Sequence, residues 1–166
     1  MLFRSQPINA MRSQLVGGLA AMQARHRFVV IGCDQGPSVA QYAAADVLPL
    51  SLICTGMLPP AFVEYALRAG AAGVVITGCQ EGDCSFRFGQ RWTEQRLHGQ
   101  REPHLRQATP QDRWRLVWPT VTQPRAVDQV LDEWRRTTAE RSETAWRSAP
   151  GATATIGPAA QGPGHG

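Results

Sequence analysis

Four cysteines, Cys33, Cys54, Cys79 and Cys84, are the residues of this chain best suited to chemistry. Thiolates are the ligands of soft metals and the carriers of thiol redox chemistry. Taken singly, each reads equally well as a small buried core residue, because free cysteine is among the most buried residue types. Taken together, their positions carry more information. Cys33 follows the apolar run Phe28-Val29-Val30-Ile31 and Gly32, Cys54 follows Leu50-Ser51-Leu52-Ile53, and Cys79 follows Val74-Val75-Ile76-Thr77 and Gly78. The intervals between them each fit one strand–helix unit. In a parallel sheet, strand ends of one kind share one edge, the edge where open α/β sheets bind ligands. Three thiols far apart in sequence therefore converge, and the short link Gln80-Glu81-Gly82-Asp83 returns Cys84 to the same place. Gly32, Gly36, Gly56, Gly78 and Gly82 recur beside them, and glycine allows close backbone approach and N–H groups aimed at an anionic centre.

Four thiolates suit zinc and an iron–sulfur cluster equally by ligand type. There is no Cys-x-x-Cys pair, the usual spacing of structural zinc and of thioredoxin-type redox sites. A disulfide between Cys79 and Cys84 is the candidate oxidised form of an empty site. Spacing leaves the metal open.

No other constellation competes. There is no dinucleotide-binding glycine fingerprint at the first strand, no phosphate loop, no nucleophile elbow and no His-Glu-x-x-His. Asp34 and Ser38 lack a base–nucleophile partner. His26, His98, His104 and His165 stand outside any ligand motif. Asp83 and Glu81 lie between thiols, where they would tune a charged centre or meet a partner's arginine, although Asp83 reads more simply as a turn or capping residue. Arg87 and Arg91 read as one helix face beside the site, open to an acidic partner or to solvent. Trp118 and Trp134 fit core positions; Trp92 and Trp146 suit an interface, where tryptophan is enriched.

The elements that must position the thiols follow from the hydrophobic pattern. Continuous apolar runs at 28–31 and 74–77 are the signature of strands buried on both faces. A third strand lies near Val47–Ile53, starting after Pro49 or lying on an edge, since proline has no N–H to donate. A fourth is Trp114–Trp118, stopped by Pro119. Between them, 38–45 reads as a short helix. A clear helix follows Pro59-Pro60 and stops at Gly70, the usual proline-first, glycine-last asymmetry, with Glu64 and Arg68 paired four apart. Residues 85–98 read as the next helix, with Phe88 and Trp92 one turn apart. Val127, Val130, Leu131 and Trp134 mark an amphipathic last helix. Alternation of strand and helix predicts an α/β fold, flavodoxin-like or Rossmann-like, with about four parallel strands and the cysteines at the carboxyl edge of the sheet.

The chain has 166 residues, 43% of them apolar, enough for one core without disulfide staples. Residues 1–26 read as an N-terminal helical extension, 27–141 as the cysteine-bearing α/β domain, and 142–166 as a disordered Gly/Pro/Ala-rich tail, too poor in apolar residues to pack. The net charge is +4, and the chain has arginine but no lysine. The arginines are spread along the chain among acids, with no concentrated patch or RNA-binding signature, which argues against nucleic acid. No apolar run approaches the roughly 18 residues needed to span a bilayer. The expected location is cytoplasmic, where thiols stay reduced and serve metals or redox chemistry.

Three segments carry a family resemblance: Ile53-Cys54-Thr55-Gly56-Met57, the helix Pro60 to Ala71, and Gly78-Cys79-Gln80-Glu81-Gly82-Asp83-Cys84. They resemble the delta subunit family of methyl-viologen-reducing hydrogenase, the iron–sulfur subunit that accompanies heterodisulfide-reductase-type complexes. The likeness runs over roughly residues 28–136. It implies a [2Fe–2S] protein with Cys33, Cys54, Cys79 and Cys84 as ligands. Its partners would be other subunits of a redox complex: a hydrogenase or dehydrogenase on one side and a flavin-containing heterodisulfide-reductase-like subunit on the other. It would relay electrons without transforming a substrate itself. The alternative is a zinc-stabilised interaction module without redox activity. One departure stands out: the resemblance implies a second cysteine where this chain has Gly36.

Overall fold

The computed structural model describes residues 7–80, 82–120 and 122–138. Four strands form one sheet: β1 (Phe28–Cys33), β2 (Val47–Leu52), β3 (Gly73–Thr77) and β4 (Trp114–Val117). Their order is β2-β1-β3-β4, and every neighbouring pair is parallel. The α/β fold expected from the strand runs is the fold found. The order is the flavodoxin-like one, not that of the dinucleotide-binding fold.

The two central strands, β1 and β3, are buried along their whole length. Their side chains still alternate between two faces, as strand geometry requires. Val29, Ile31, Val74 and Ile76 face one core, shared with Leu15 and Leu19 of α1 (Ile8–Ala21), Phe62, Val63, Ala66 and Leu67 of α2 (Ala61–Arg68), and Leu97 of α3 (Gly89–Leu97). Phe28, Val30 and Val75 face the other, against Val39 and Tyr42 and against Val127, Leu131 and Trp134 of α4 (Ala126–Thr137). Gly73 is where α4 comes closest to the sheet. A Cβ there would lie 2.5 Å from the Trp134 ring, and that ring also stacks on Phe28 at 5.9 Å between centroids.

α1 is not a loose appendage. Leu15 and Leu19 are fully buried, Gly18 presses on the Leu48 side chain of β2, and Arg27 Nη1 donates to the Leu19 carbonyl at 2.9 Å, closing the helix's C-terminal end.

Several local expectations change. Pro49 sits inside β2, opposite Val30, and β2 is an edge strand, where one ladder is missing anyway. The short helix expected over 38–45 is a single 3-10 turn, Val39–Tyr42. Glu64 does not pair with Arg68. It turns inward, 3% exposed, and accepts from Arg106 Nε at 2.7 Å and from the Arg106 backbone N–H at 3.3 Å. Trp118 is half-buried rather than part of the core, and its indole N–H donates to Glu94. The helix expected over 85–98 starts only at Gly89. Arg87, with φ at 61°, lies in the loop before it, so Arg87 and Arg91 do not share a helix face.

Candidate metal centre

The strand order sets the place of the site. The chain leaves β1 for β2 on one side, then crosses to β3 on the other. The carboxyl ends of β1 and β3 therefore flank the crevice at a topological switch point. Cys33 is the last residue of β1, Cys54 lies just past β2, and Cys79 just past β3. All three are buried; Cys84, on the loop leading to α3, is half-exposed. None forms a disulfide.

Two of the sulfurs are in direct contact. Cys33 Sγ and Cys79 Sγ are 3.1 Å apart, beyond the roughly 2.05 Å of a disulfide. The sulfur in hydrogen-bond contact with Cys79 is thus that of Cys33, not that of its sequence neighbour Cys84. The Cys54 and Cys84 sulfurs both border Gly89, and charge on Cys33 and Cys84 is felt at Cys54. Charge on Cys84 is also felt at Cys79, so all four thiols belong to one electrostatic unit. Among the described residues no group of three or more His, Cys, Asp or Glu side chains is arranged to hold a metal ion.

Backbone geometry shapes this pocket of sulfur. A Cβ on Gly89 would stand 2.5 Å from the Cys54 sulfur and 3.0 Å from the Cys84 sulfur. One on Gly56 would meet Gly89 Cα at 2.9 Å. The turn Thr55–Met57 and the start of α3 therefore touch backbone to backbone, with two thiols between them. The Gly56 N–H donates to Cys54 Sγ at 3.3 Å. Side chains of α3 lock the arrangement: Gln90 Nε2 donates to the Cys79 carbonyl, and Arg96 Nη1 donates to the Gly56 carbonyl at 2.7 Å. Gly89, Gln90 and Arg96 carry no motif signal. Their only sequence hint is a glycine opening a helix a few residues after Cys84.

Gly36 is equally constrained. A Cβ there would lie 2.6 Å from both the carbonyl carbon and the oxygen of Gly78. The position where the resemblance implies a fifth thiol has no room for a side chain without moving the Cys79 loop.

The thiols differ in acidity. Burial pushes Cys79 up to about 12, reinforced by the neighbouring Cys33 thiol and by charge on Cys33 and Cys84. Burial also raises Cys54, against the Gly56 N–H and with the charges of Cys84 and Cys33. Cys84 goes the other way. Burial raises it, but the backbone N–H groups of Phe86, Gly89 and Gln90 and the Cys54 thiol together hold it below an ordinary cysteine. Two of these donors, Gly89 and Gln90, are the first residues of α3, whose opening N–H groups have no partner within the helix.

The methyl-viologen-reducing hydrogenase delta subunit family matches residues 27–140, which includes all four cysteines. This chain belongs to that family. Among similar proteins, an F420-non-reducing hydrogenase iron–sulfur subunit of Archaeoglobus profundus is 29% identical over 84 residues, covering 51% of this chain and 61% of that protein. The vhc F420-non-reducing hydrogenase iron–sulfur subunit of Methanococcus voltae is 39% identical over 44 residues, covering 26% of this chain and 31% of that protein. The chain thus spans less than two thirds of either relative.

In this member of the family the remaining sequence candidates fall away from the sulfurs. Asp83 is exposed in a turn closed by its N–H on the Gln80 carbonyl at 3.0 Å; its side chain does not cap α3. His98 packs against Trp114, and His104 pairs with Glu102. Glu81, Trp146, His165 and the segment 142–166 lie outside the described residues. Among the described residues no helix is long and apolar enough to cross a membrane.

Proposed function

We propose that this protein is an electron-transfer subunit holding one [2Fe–2S] cluster on Cys33, Cys54, Cys79 and Cys84. It would relay electrons between an oxidoreductase and a flavin-containing, heterodisulfide-reductase-like partner in a larger complex. The observation that carries the reading is the convergence of four thiols at the carboxyl end of the sheet. A binuclear cluster takes two thiolates per iron, and four thiolates also suit a single zinc ion. Both relatives are named iron–sulfur subunits, which supports iron over zinc. When bound, such a cluster supplies reversible one-electron storage. The chain's own part is to bury three of the thiols and to aim N–H groups at Cys84 and Cys54.

The same reading makes residues 27–141 the iron–sulfur domain, in a cytoplasmic complex. Anaerobic purification followed by iron, sulfide and zinc assay tests it. About two irons and two sulfides per chain are expected. One zinc with no sulfide would establish the interaction-module alternative.

A further inference from the structure

Five large apolar side chains stand exposed among the described residues: Ile8, Met57, Phe86, Phe88 and Trp92. They are not scattered. Met57 closes the turn after Cys54. Phe86 and Phe88 lie between Cys84 and α3, and Trp92 is in the first turn of α3. Phe88 and Trp92 stack at 5.9 Å between ring centroids. Ile8 joins Met57 along a shallow groove floored by Met11, Leu52, Ile53 and Pro59. Four of them thus lie on the segments beside Cys54 and Cys84, where Cys84 is the one thiol not fully buried, and Ile8 adjoins Met57.

The rim of this surface is basic. Arg87, Arg91 and Arg101 are exposed around it, and the Arg101 guanidinium lies over the Trp92 ring at 5.1 Å. Among the described residues nearby, Asp83 and Glu102 are exposed carboxylates, Glu102 paired with His104, while Glu94 is engaged by Trp118. Aromatic residues, methionine and arginine are the side chains enriched at protein interfaces, and a clustered apolar patch with a polar rim marks one.

We infer that this surface is the docking face for a redox protein whose contact surface has an apolar centre edged by carboxylates, with electrons crossing on the Cys84 side. The inference rests on the relay reading above. Complementary charge would orient the encounter, and the stacked Phe88–Trp92 pair would fill the dry centre.

Two variants test it in the full chain. R87E/R91E/R101E reverses the rim, and F88S/W92S removes the aromatic centre. R136E, on α4 against the other face of the sheet, is the control. In the first arm, cluster-loaded protein is reduced with dithionite and mixed at low salt with anionic ferricyanide or cationic hexaammineruthenium(III). One electron leaves the reduced protein for each ferricyanide that becomes ferrocyanide, or each ruthenium(III) that becomes ruthenium(II). Rim reversal should lower the ferricyanide-to-ruthenium rate ratio tenfold or more, an effect that collapses at high salt. A ratio that moves no further than in R136E overturns the inference. In the second arm, the complex is isolated through a tag on this chain. F88S/W92S should lose the co-isolating redox subunits at least tenfold while keeping its visible absorption. Full retention of those subunits overturns the docking face. An unaltered chain without iron overturns the relay reading instead, and the co-isolation arm still judges the surface.

Discussion

At the scale of single residues, the account turns on two glycines and one thiol. Gly89 makes room for the Cys54 and Cys84 sulfurs by having no side chain. Gly89→Ala should therefore cut cluster occupancy several-fold while circular dichroism shows an intact fold, since overpacking costs about 1–3 kcal/mol and falls directly on two of the proposed ligands. Gly36→Ala should destabilise by a similar amount, read as a lower urea midpoint, because its methyl would strike the Gly78 carbonyl. In metal-free protein, iodoacetamide should modify Cys84 first, as resolved by peptide mass spectrometry. It is half-exposed and its thiolate is favoured, whereas Cys79 is buried and held up to about 12. The four thiols were legible in the sequence because each of three ends an apolar run. Gly89, Gln90 and Arg96 were not. Their roles exist only once α3 docks on the turn after Cys54, a contact between segments far apart in the chain that no local pattern encodes.

At the scale of elements, the strands declared themselves and the helix starts did not. β1 and β3 are continuous apolar runs because both faces are covered, and that is readable in one dimension. The beginning of α3 is not, because tertiary need overrides local propensity there: residues 85–88 give up helix to wrap Cys84, with Arg87 taking a positive φ. Pro49 offered two readings, and the position of β2 at the sheet edge decides between them. The burial of Glu64 against Arg106 also escaped a local rule, since an (i, i+4) pairing looked sufficient. α1 carries an element-scale prediction. Leu15 and Leu19 are fully buried over the β2 side of the sheet. Leu15→Ala should cost about 2–5 kcal/mol in denaturant unfolding, with the slope unchanged. A surface helix of no structural consequence would show no loss.

At the scale of the whole molecule, one topological fact organises everything else. The crossing from β2 to β3 over β1 puts the carboxyl ends of the central strands at a switch point, and Cys33 and Cys79 stand there, with Cys54 just past the edge strand beside them. The helical layers bury the Cys33–Cys79 side, while the loops before α3 leave the Cys84 side open and ringed with exposed aromatics. A buried store with one accessible side is the shape a relay needs. The central claim is that these four thiols hold one two-iron cluster that gains and loses a single electron. The most direct measurement is low-temperature EPR of the anaerobically isolated chain, before and after dithionite, with iron counted in the same sample. The account predicts silence when oxidised and, on reduction, a signal integrating to about one spin for every two irons, lost in Cys79→Ser. A protein that stays EPR-silent on reduction, colourless and carrying one zinc, would contradict it.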